Sequence, residues 1–441
     1  MIPTPYPYQS AAITAARQLV LAGKRRVLLV SPTGSGKSTI GAWIAKGAVH
    51  RGKRVAWFAH RTELRDQAAA TLERCELDVG HSGCGAGKPV QVVSTQGSLS
   101  REECPEADLV VLDECHHYAG TEQWSRIPEA YPNATIIGLT ATPERADGRG
   151  MGNVFEALHV VAQPRQLVGG ALVDCEMLRP PAVQRAGYLA RSPVDAYKSR
   201  ARGRTVVFAP NVAQATEFAQ DFRKAGIACA LVYGGVSAED RAASLAAFAE
   251  GTVKVLVNVF VLTEGWDCPS IETVILARKV GSCGAYMQMT GRGLRASRGK
   301  SSMLLLDLAG VSHLHGSPLD DRIFSLDGVG MMLASQGGPR FCRACGELLD
   351  EEGPCSRCGR SRRASVSSPK YSQDPLEKFA HMQRDNDLVR AERLAKWIRQ
   401  AREHGKDWRT SLYRYKGTYG ASPPKGIVGA ALTLASGPVE Q

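Results

Sequence analysis

The feature that most constrains this chain is the octapeptide Ser31-Pro32-Thr33-Gly34-Ser35-Gly36-Lys37-Ser38, which directly follows the apolar run Val27-Leu28-Leu29-Val30. The apolar run reads as a buried strand, and residues 38–48 read as a helix. Glycines between a strand and a helix let the backbone turn so that successive N–H groups point inward. The helix adds its own unpaired N-terminal N–H groups. Such a turn cradles phosphate, with Lys37 as a point charge for the β- and γ-phosphates and the Ser38 hydroxyl suited to Mg²⁺. The pattern is that of a P-loop except at its first position, where Ser31 replaces Gly. The expected ATP cradle is therefore Pro32, Thr33, Gly34, Ser35, Gly36, Lys37, Ser38 and Thr39.

A second apolar run, Leu109-Val110-Val111-Leu112, ends in Asp113-Glu114-Cys115-His116. Two carboxylates at a strand end complement the P-loop: Asp113 can enter the Mg²⁺ shell and Glu114 can polarise an attacking water. Further buried-strand candidates lie at 55–59, 90–93 and 135–139, separated by helical patterns. That alternation predicts an α/β fold with a parallel sheet covered on both faces. A Pro-, Arg- and Ala-rich stretch follows, and then a second α/β unit with strand candidates at 205–208, 228–232, 253–257, 273–276 and 302–306. The expected organisation is a first lobe at 1–178, a linker at 179–203, a second lobe at 204–335, a cysteine module at 340–361 and a basic helical tail at 372–441. The stretch 361–375 reads as polar and flexible.

These residues carry a resemblance. Asp113-Glu114-Cys115-His116 resembles the DExH box of superfamily 2 helicases, and other segments fall in that family's order. Tyr6-Pro7-Tyr8-Gln9 resembles the adenine-reading element, with Gln9 on the adenine edge and Tyr6 able to stack on the base. Ala59-His60-Arg61-Thr62-Glu63-Leu64 and Ser94-Thr95-Gln96-Gly97 resemble segments that touch the nucleic-acid backbone, which implicates His60, Arg61, Thr95 and Gln96. Leu139-Thr140-Ala141-Thr142-Pro143 resembles the element coupling hydrolysis to strand contact. Thr263-Glu264-Gly265-Trp266-Asp267-Cys268-Pro269 resembles motif V, and with it Gly265 and Asp267 enter the nucleotide site.

Tyr286-Met287-Gln288-Met289-Thr290-Gly291-Arg292-Gly293-Leu294-Arg295 resembles motif VI, which adds Gln288, Arg292 and Arg295. On a continuous helix the two arginines would share one face, one turn apart. Arg295 is the first choice for an arginine finger and Arg292 the second. The resemblance covers about residues 1–330 and is closest to the restriction-subunit and repair-helicase branch of bacteria and phages. It implies two RecA-like lobes with ATP and Mg²⁺ between them. The segment 315–328 resembles one that follows the second lobe in bacterial members, and its sequence alone suggests no task.

Cys342-Arg343-Ala344-Cys345 and Cys355-Ser356-Arg357-Cys358 form two CxxC pairs. Four thiolates fit tetrahedral Zn²⁺ with no position open to water, so a structural zinc ribbon is expected. Residues 388–403 read as a helix with an apolar stripe of Leu394, Trp397, Ile398 and Ala401 flanked by Arg390, Arg393, Lys396, Arg399 and Arg402. Beyond it, Trp408 to Tyr419 interleaves aromatic and basic residues. That pattern suits either packing on the motor or stacking against bases. From Arg340 onward the chain holds 19 Lys+Arg against 12 Asp+Glu, so the last quarter carries most of the formal charge of +12. A polyanionic partner fits that bias.

The expected activity is ATP-dependent movement on nucleic acid, with DNA as the track implied by the resemblance. Two alternatives stand beside strand separation: a double-stranded-DNA translocase serving a restriction or defence complex, and an RNA helicase. A non-hydrolysing nucleotide-gated clamp is a rival from another class. No nuclease constellation is evident, so cutting would need a nuclease partner; a replication or repair partner is equally compatible. No apolar run spans a membrane and no signal peptide is evident, so the expectation is a cytoplasmic monomer.

Overall fold

A computed structural model describes residues 4–81, 87–95, 104–118, 125–143, 150–184, 187–262, 266, 268–322, 324–327, 340–341, 348–349, 369–378, 387–404, 407–412, 415, 428, 431–432 and 435. The first lobe contains β1 (Arg26–Val30), β2 (Val55–Ala59), β3 (Val79–His81), β4 (Val90–Ser94), β5 (Leu109–Asp113), β6 (Thr135–Thr140) and β7 (Ala157–Val160). They form one parallel sheet in the order β3-β4-β2-β5-β6-β1-β7. Successive residues of a strand point to opposite faces, so a strand covered on both sides must be apolar throughout. Val27, Leu29 and Trp57 pack under α1 (Pro7–Leu21), α2 (Lys37–Val49) and α3 (Thr62–Arg74). Leu28, Val30 and Phe58 pack on the other face against Tyr118, Phe155 and Ile127, the last from the short helix α4 (Arg126–Ala130).

The chain then reaches β8 (Asp174–Arg179), β9 (Tyr188–Leu189), α5 (Pro193–Arg200), β10 (Arg204–Phe208), α6 (Val212–Lys224), β11 (Cys229–Val232), α7 (Ala238–Glu250), β12 (Val255–Asn258), β13 (Ile271–Leu276), α8 (Cys283–Leu294), β14 (Ser302–Asp307) and the single turn α9 (Ser312–His315). The second sheet runs β11-β12-β10-β13-β14-β8-β18, where β18 (Glu377–Lys378) comes from far downstream. All its pairings are parallel except β18 with β8.

Two boundaries differ from the sequence expectation. β8 was assigned to the end of the first lobe at 178, yet it hydrogen-bonds to β14 and belongs to the second sheet. Periodicity identifies a strand but carries no information about which sheet it joins. The stretch 361–375 was expected to be flexible. Its described part forms β17 (Lys370–Tyr371), which pairs with β9, while the Ser372 hydroxyl donates to Gln184 Oε1 at 2.8 Å. Residues 369–378 therefore return to the second lobe and shield its edge, an arrangement that keeps unpaired strand edges covered. Between these anchors β15 (Arg340–Phe341) and β16 (Leu348–Leu349) pair antiparallel. Cys342, Cys345, Cys355 and Cys358 lie outside the described residues.

The segment after α9, for which sequence suggested no task, is a strap between the lobes. Buried Arg322 donates to the carbonyls of His315 and Ser317 at 2.8 and 3.1 Å, and its backbone N–H donates to Gln163 Oε1 at 2.9 Å. Gln163 Nε2 in turn donates to the Arg322 carbonyl. A few residues on, Phe324 and Leu326 pack against the first-lobe core, and Gly152 N donates to the Leu326 carbonyl at 2.8 Å.

The tail helix α10 (Asp387–Glu403) buries Leu394, Ile398 and Ala401 as its stripe predicts. Leu394 and Ile398 share a cluster with Tyr415 and Ala431, joined by half-buried Trp397, Trp408 and Leu412. Among the described residues the tail thus makes a small core of its own. Tyr415, one of the interleaved aromatics, is buried in that core and cannot stack on a base. Phe324→Ala should lower the stability of the first lobe by about 1–3 kcal/mol, less than a fully buried Phe→Ala because the ring is half-buried; urea denaturation would measure the loss.

Candidate active site between the lobes

The P-loop leaves β1 and enters α2 with Gly34 and Gly36 at φ of 89° and 79°, the left-handed region that side chains disfavour. Ser31, the departure from the usual Gly, is fully buried, and its hydroxyl pairs with that of Ser35 at 2.6 Å. Ser35 Oγ also donates to the Pro32 carbonyl at 2.6 Å, so hydroxyls brace the loop from beneath. The loop is clipped from outside by the start of α1. Gln9 Nε2 and the Tyr8 hydroxyl both donate to the Ser35 carbonyl, at 2.9 and 2.7 Å. Burial pushes the Tyr8 hydroxyl up to about 12, which keeps it a donor at any physiological pH. Tyr8 is a site residue that sequence reasoning missed, although it adjoins Gln9. Tyr6 is half-exposed and its ring stacks on Tyr8 at 5.7 Å and 9°.

β5 lies one strand away from β1, with β6 between them, so Asp113 and the P-loop open on the same carboxyl edge. Asp113 is buried, and its Oδ1 accepts the Glu114 N–H at 3.0 Å. Glu114 sits at φ 45°, a left-handed position for a non-glycine residue that costs about 1–3 kcal/mol. That turn brings its carboxylate to 3.8 Å from Lys37 Nζ, with both side chains about nine-tenths buried. The hard oxygens of Asp113 and Ser38 fit Mg²⁺, which prefers carboxylate and hydroxyl ligands and retains several waters. His116 Nδ1 lies 3.6 Å from the Glu114 carboxylate and 3.2 Å from Thr140 Oγ1. Thr140 Oγ1 accepts the Thr142 N–H at 3.1 Å.

Helix α8 brings the second lobe to this site. The Ser282 hydroxyl caps it, accepting the Ala285 N–H at 3.1 Å. Gly284 and Gly291 stand seven residues apart and so share one face two turns apart. A Cβ on Gly284 would lie 2.8 Å from Thr142 Oγ1, and one on Gly291 would lie 2.6 Å from Thr33 Cβ. Only bare backbone permits such an approach.

The expected arginine pair is placed differently from the helical prediction. Arg292 is buried on α8, but the helix ends at Leu294, and Arg295 is its extended C-cap at φ −62°, ψ 136°. The two side chains still converge: both guanidinium groups donate to the Trp266 carbonyl, Arg295 Nη1 at 3.4 Å. The Arg295 stem passes over the P-loop, its Cγ 2.7 Å from where a Cβ on Gly34 would be. Leaving the helix is what lets Arg295 reach the loop. Gln288 is buried on the same helix.

The remaining candidates divide. The His60 ring lies 4.3 Å from that of His117 at a tilt of 55°, and Arg61 is the N-cap of α3. Thr95 was assigned to the nucleic-acid backbone, but it is fully buried and its hydroxyl meets the Tyr118 hydroxyl at 2.6 Å. It can support the segment only from within. Gln96, Gly265 and Asp267 lie outside the described residues. Among the described residues no group of three or more His, Cys, Asp or Glu could hold a metal ion, and no helix is long and apolar enough to cross a membrane.

Two RecA-like lobes with a P-loop, an Asp-Glu pair and facing arginines define a superfamily 2 ATPase core. Residues 2–145 match the family of type III restriction enzyme res subunits, and residues 189–297 match the helicase conserved C-terminal domain. The chain is 29% identical over 347 residues to a Schizosaccharomyces pombe protein named as a mitochondrial ATP-dependent helicase, irc3, covering 68% of this chain and 56% of that protein. It is 27% identical over 315 residues to a 51.5 kDa protein of a Lactococcus phage, covering 66% of this chain and 67% of that protein. A solved fragment of an HsdR subunit of a type I restriction enzyme from Vibrio vulnificus superposes with a TM-score of 0.59 at 25% identity, over 71% of this chain and 66% of that chain. The chain belongs to the superfamily 2 helicases, in the branch of restriction subunits and repair helicases. It spans between about half and two thirds of the length of these relatives.

Ser31→Ala should leave the P-loop short of one hydroxyl contact worth about 1 kcal/mol, which corresponds to roughly a fivefold rise in KM for ATP with kcat nearly unchanged. Steady-state ATPase titrations would read both.

Proposed function

We propose that this protein is an ATP-driven motor on DNA, a helicase or translocase that hydrolyses ATP between its two lobes. The observation that carries the reading is that Arg295 of the second lobe lies over the P-loop at Gly34, in the loop that leads to Lys37, which faces Glu114 of the same lobe at 3.8 Å. The P-loop N–H groups and Lys37 hold the phosphates, and Gln9, with Tyr6 beside it, borders the place of the adenine. Mg²⁺ held by Ser38 and Asp113 would neutralise phosphate charge. Glu114 orients the attacking water and takes its proton, while the arginine guanidinium groups stabilise charge developing on the γ-phosphate. Because α8 rests on Thr33 and Thr142, a change at the γ-phosphate alters the fit between the lobes. Alternate closing and opening would move them along one strand. His60 and Arg61 from the first lobe are the proposed contacts to the strand. Contacts of that kind go mainly to phosphate, so little sequence preference is expected.

The likeness to a restriction-enzyme subunit favours one second reading, a double-stranded-DNA translocase that moves without separating strands and works with a nuclease partner. Strand-displacement and triplex-displacement assays part the two: a helicase releases single strands, whereas a pure translocase strips only the third strand. Cys342, Cys345, Cys355 and Cys358 are proposed to bind one structural Zn²⁺ as two CxxC knuckles. Elemental analysis should then find about one zinc per chain, and a folded metal-free protein would remove this proposal.

Lys37→Ala and Glu114→Gln should each abolish DNA-stimulated phosphate release, and turnover retained in either would defeat the site assignment. Stimulation by RNA but not by DNA would move the reading to an RNA helicase. No stimulation by any polynucleotide would leave a nucleotide-gated clamp.

A further inference from the structure

We infer that Lys300 is a positioning residue that sets where the Arg295 guanidinium enters the ATP site, an inference that rests on the function proposed above. The chain leaves α8 at Leu294, runs extended through Arg295, and turns through Ser297–Lys300, where Lys300 N donates to the Ser297 carbonyl at 3.0 Å, before β14 begins. The Lys300 side chain folds back beneath this exit. Its ammonium donates to the carbonyls of Gly293 at 2.6 Å, Arg295 at 2.9 Å and Pro269 at 3.0 Å. An ammonium has three N–H donors and no acceptor, so three carbonyls saturate it.

Each acceptor bears on Arg295. The Gly293 carbonyl belongs to the last turn of α8, where helix carbonyls lack intrahelical partners and a cation is favoured. The Arg295 carbonyl belongs to the finger residue itself. Pro269 closes the segment that begins at Trp266, whose carbonyl receives both Arg292 and Arg295. One ammonium therefore ties the backbone of Arg295 to the piece of chain that holds its guanidinium. Neighbouring backbone bonds, Val173 N to the Leu294 carbonyl at 2.8 Å and Ala296 N to the Ala171 carbonyl at 3.1 Å, fix the flanks and leave the Arg295 carbonyl to Lys300. Lys300 acts through Arg295 and has no place at the reacting atoms.

Lys300 is half-buried, and burial lowers its ammonium to about 8, with Glu272 and Cys268 opposing the fall and Arg295 adding to it. A charge held from its usual value near 10.5 down to about 8 is present at neutral pH and is lost as pH rises through about 8. The neutral amine has only two N–H groups and drops one carbonyl.

The test compares DNA-stimulated ATP hydrolysis by the full-length wild type, Lys300→Met, Lys300→Arg, Arg295→Ala and the Arg295→Ala/Lys300→Met double variant. Lys300→Met should lose at least about tenfold in kcat, the order of one misaligned charge-stabilising donor, with KM for ATP within about twofold. Lys300→Arg should restore most of kcat. The double variant should be no slower than Arg295→Ala, since the lysine has nothing left to position. A multiplicative loss in the double variant, or kcat unchanged in Lys300→Met, overturns the inference. If Lys300→Met does not fold, the pH profiles decide. Wild-type kcat should fall above pH about 8, and Lys300→Arg should stay flat beyond it because guanidinium does not titrate there. Coincident profiles overturn the inference. A wild type without stimulated ATPase would instead defeat the functional reading itself.

Discussion

The close approach of α8 to the P-loop lobe is the contact on which the rest of the site depends. Gly284 and Gly291 face the first lobe without side chains, and Thr142 and Thr33 occupy the space that a Cβ would fill. That seating brings the Arg295 stem over the P-loop at Gly34 and holds Arg292 beside it on the shared Trp266 carbonyl. Without it the first lobe is a phosphate-binding fold with a carboxylate, and the second is an α/β domain with two basic residues. The glycines also make the interface sensitive. Close-packed backbone has few intermediate arrangements, so small displacements at the nucleotide are amplified into a choice between seated and separated.

Electrostatics gives the seated state its chemistry. Lys37 and Glu114 face each other at 3.8 Å, and both guanidinium groups lean on the Trp266 carbonyl. Four charged side chains are thus held in place before any phosphate arrives, and such preorganisation strengthens their action in a water-poor site. Glu114 adopts a left-handed backbone, and its Oε2 is buried with no hydrogen-bond partner among the described residues. A strained, under-bonded carboxylate next to a phosphate cradle suits a group that must bond a water. From it a polar route runs through His116 and Thr140 to Thr142, which touches α8 at Gly284.

Much of this was legible in the sequence, because the chemistry rests on local patterns. Ser31–Ser38 and Asp113-Glu114 follow apolar strands at the same sheet edge, and the strand and helix runs around them lie where periodicity put them. What was not legible depends on long-range pairing. β8 reads like any short strand, and only its register with β14 places it in the second lobe. The strap is invisible because Arg322 and Gln163 are far apart in sequence and ordinary in type. Arg295 reads as helical by spacing, but the chain turns extended one residue after Leu294. Lys300 looks like one surface lysine among many until its three carbonyls are seen. Thr95 lies in a segment that resembles a strand-contacting one, but its burial against Tyr118 could not be read from the residue.

The central claim is that the ATP site is split between the lobes and that the second lobe supplies part of its chemistry. Single-turnover hydrolysis by Arg295→Lys, at saturating ATP and DNA, tests this most directly, with nucleotide binding followed in parallel by a fluorescent ATP analogue. Lysine keeps the charge but loses the planar fork that reaches over the loop. The account predicts nucleotide binding within a few-fold of wild type and hydrolysis slowed by roughly 10³ or more. Hydrolysis within about tenfold of wild type would contradict a split site of this kind.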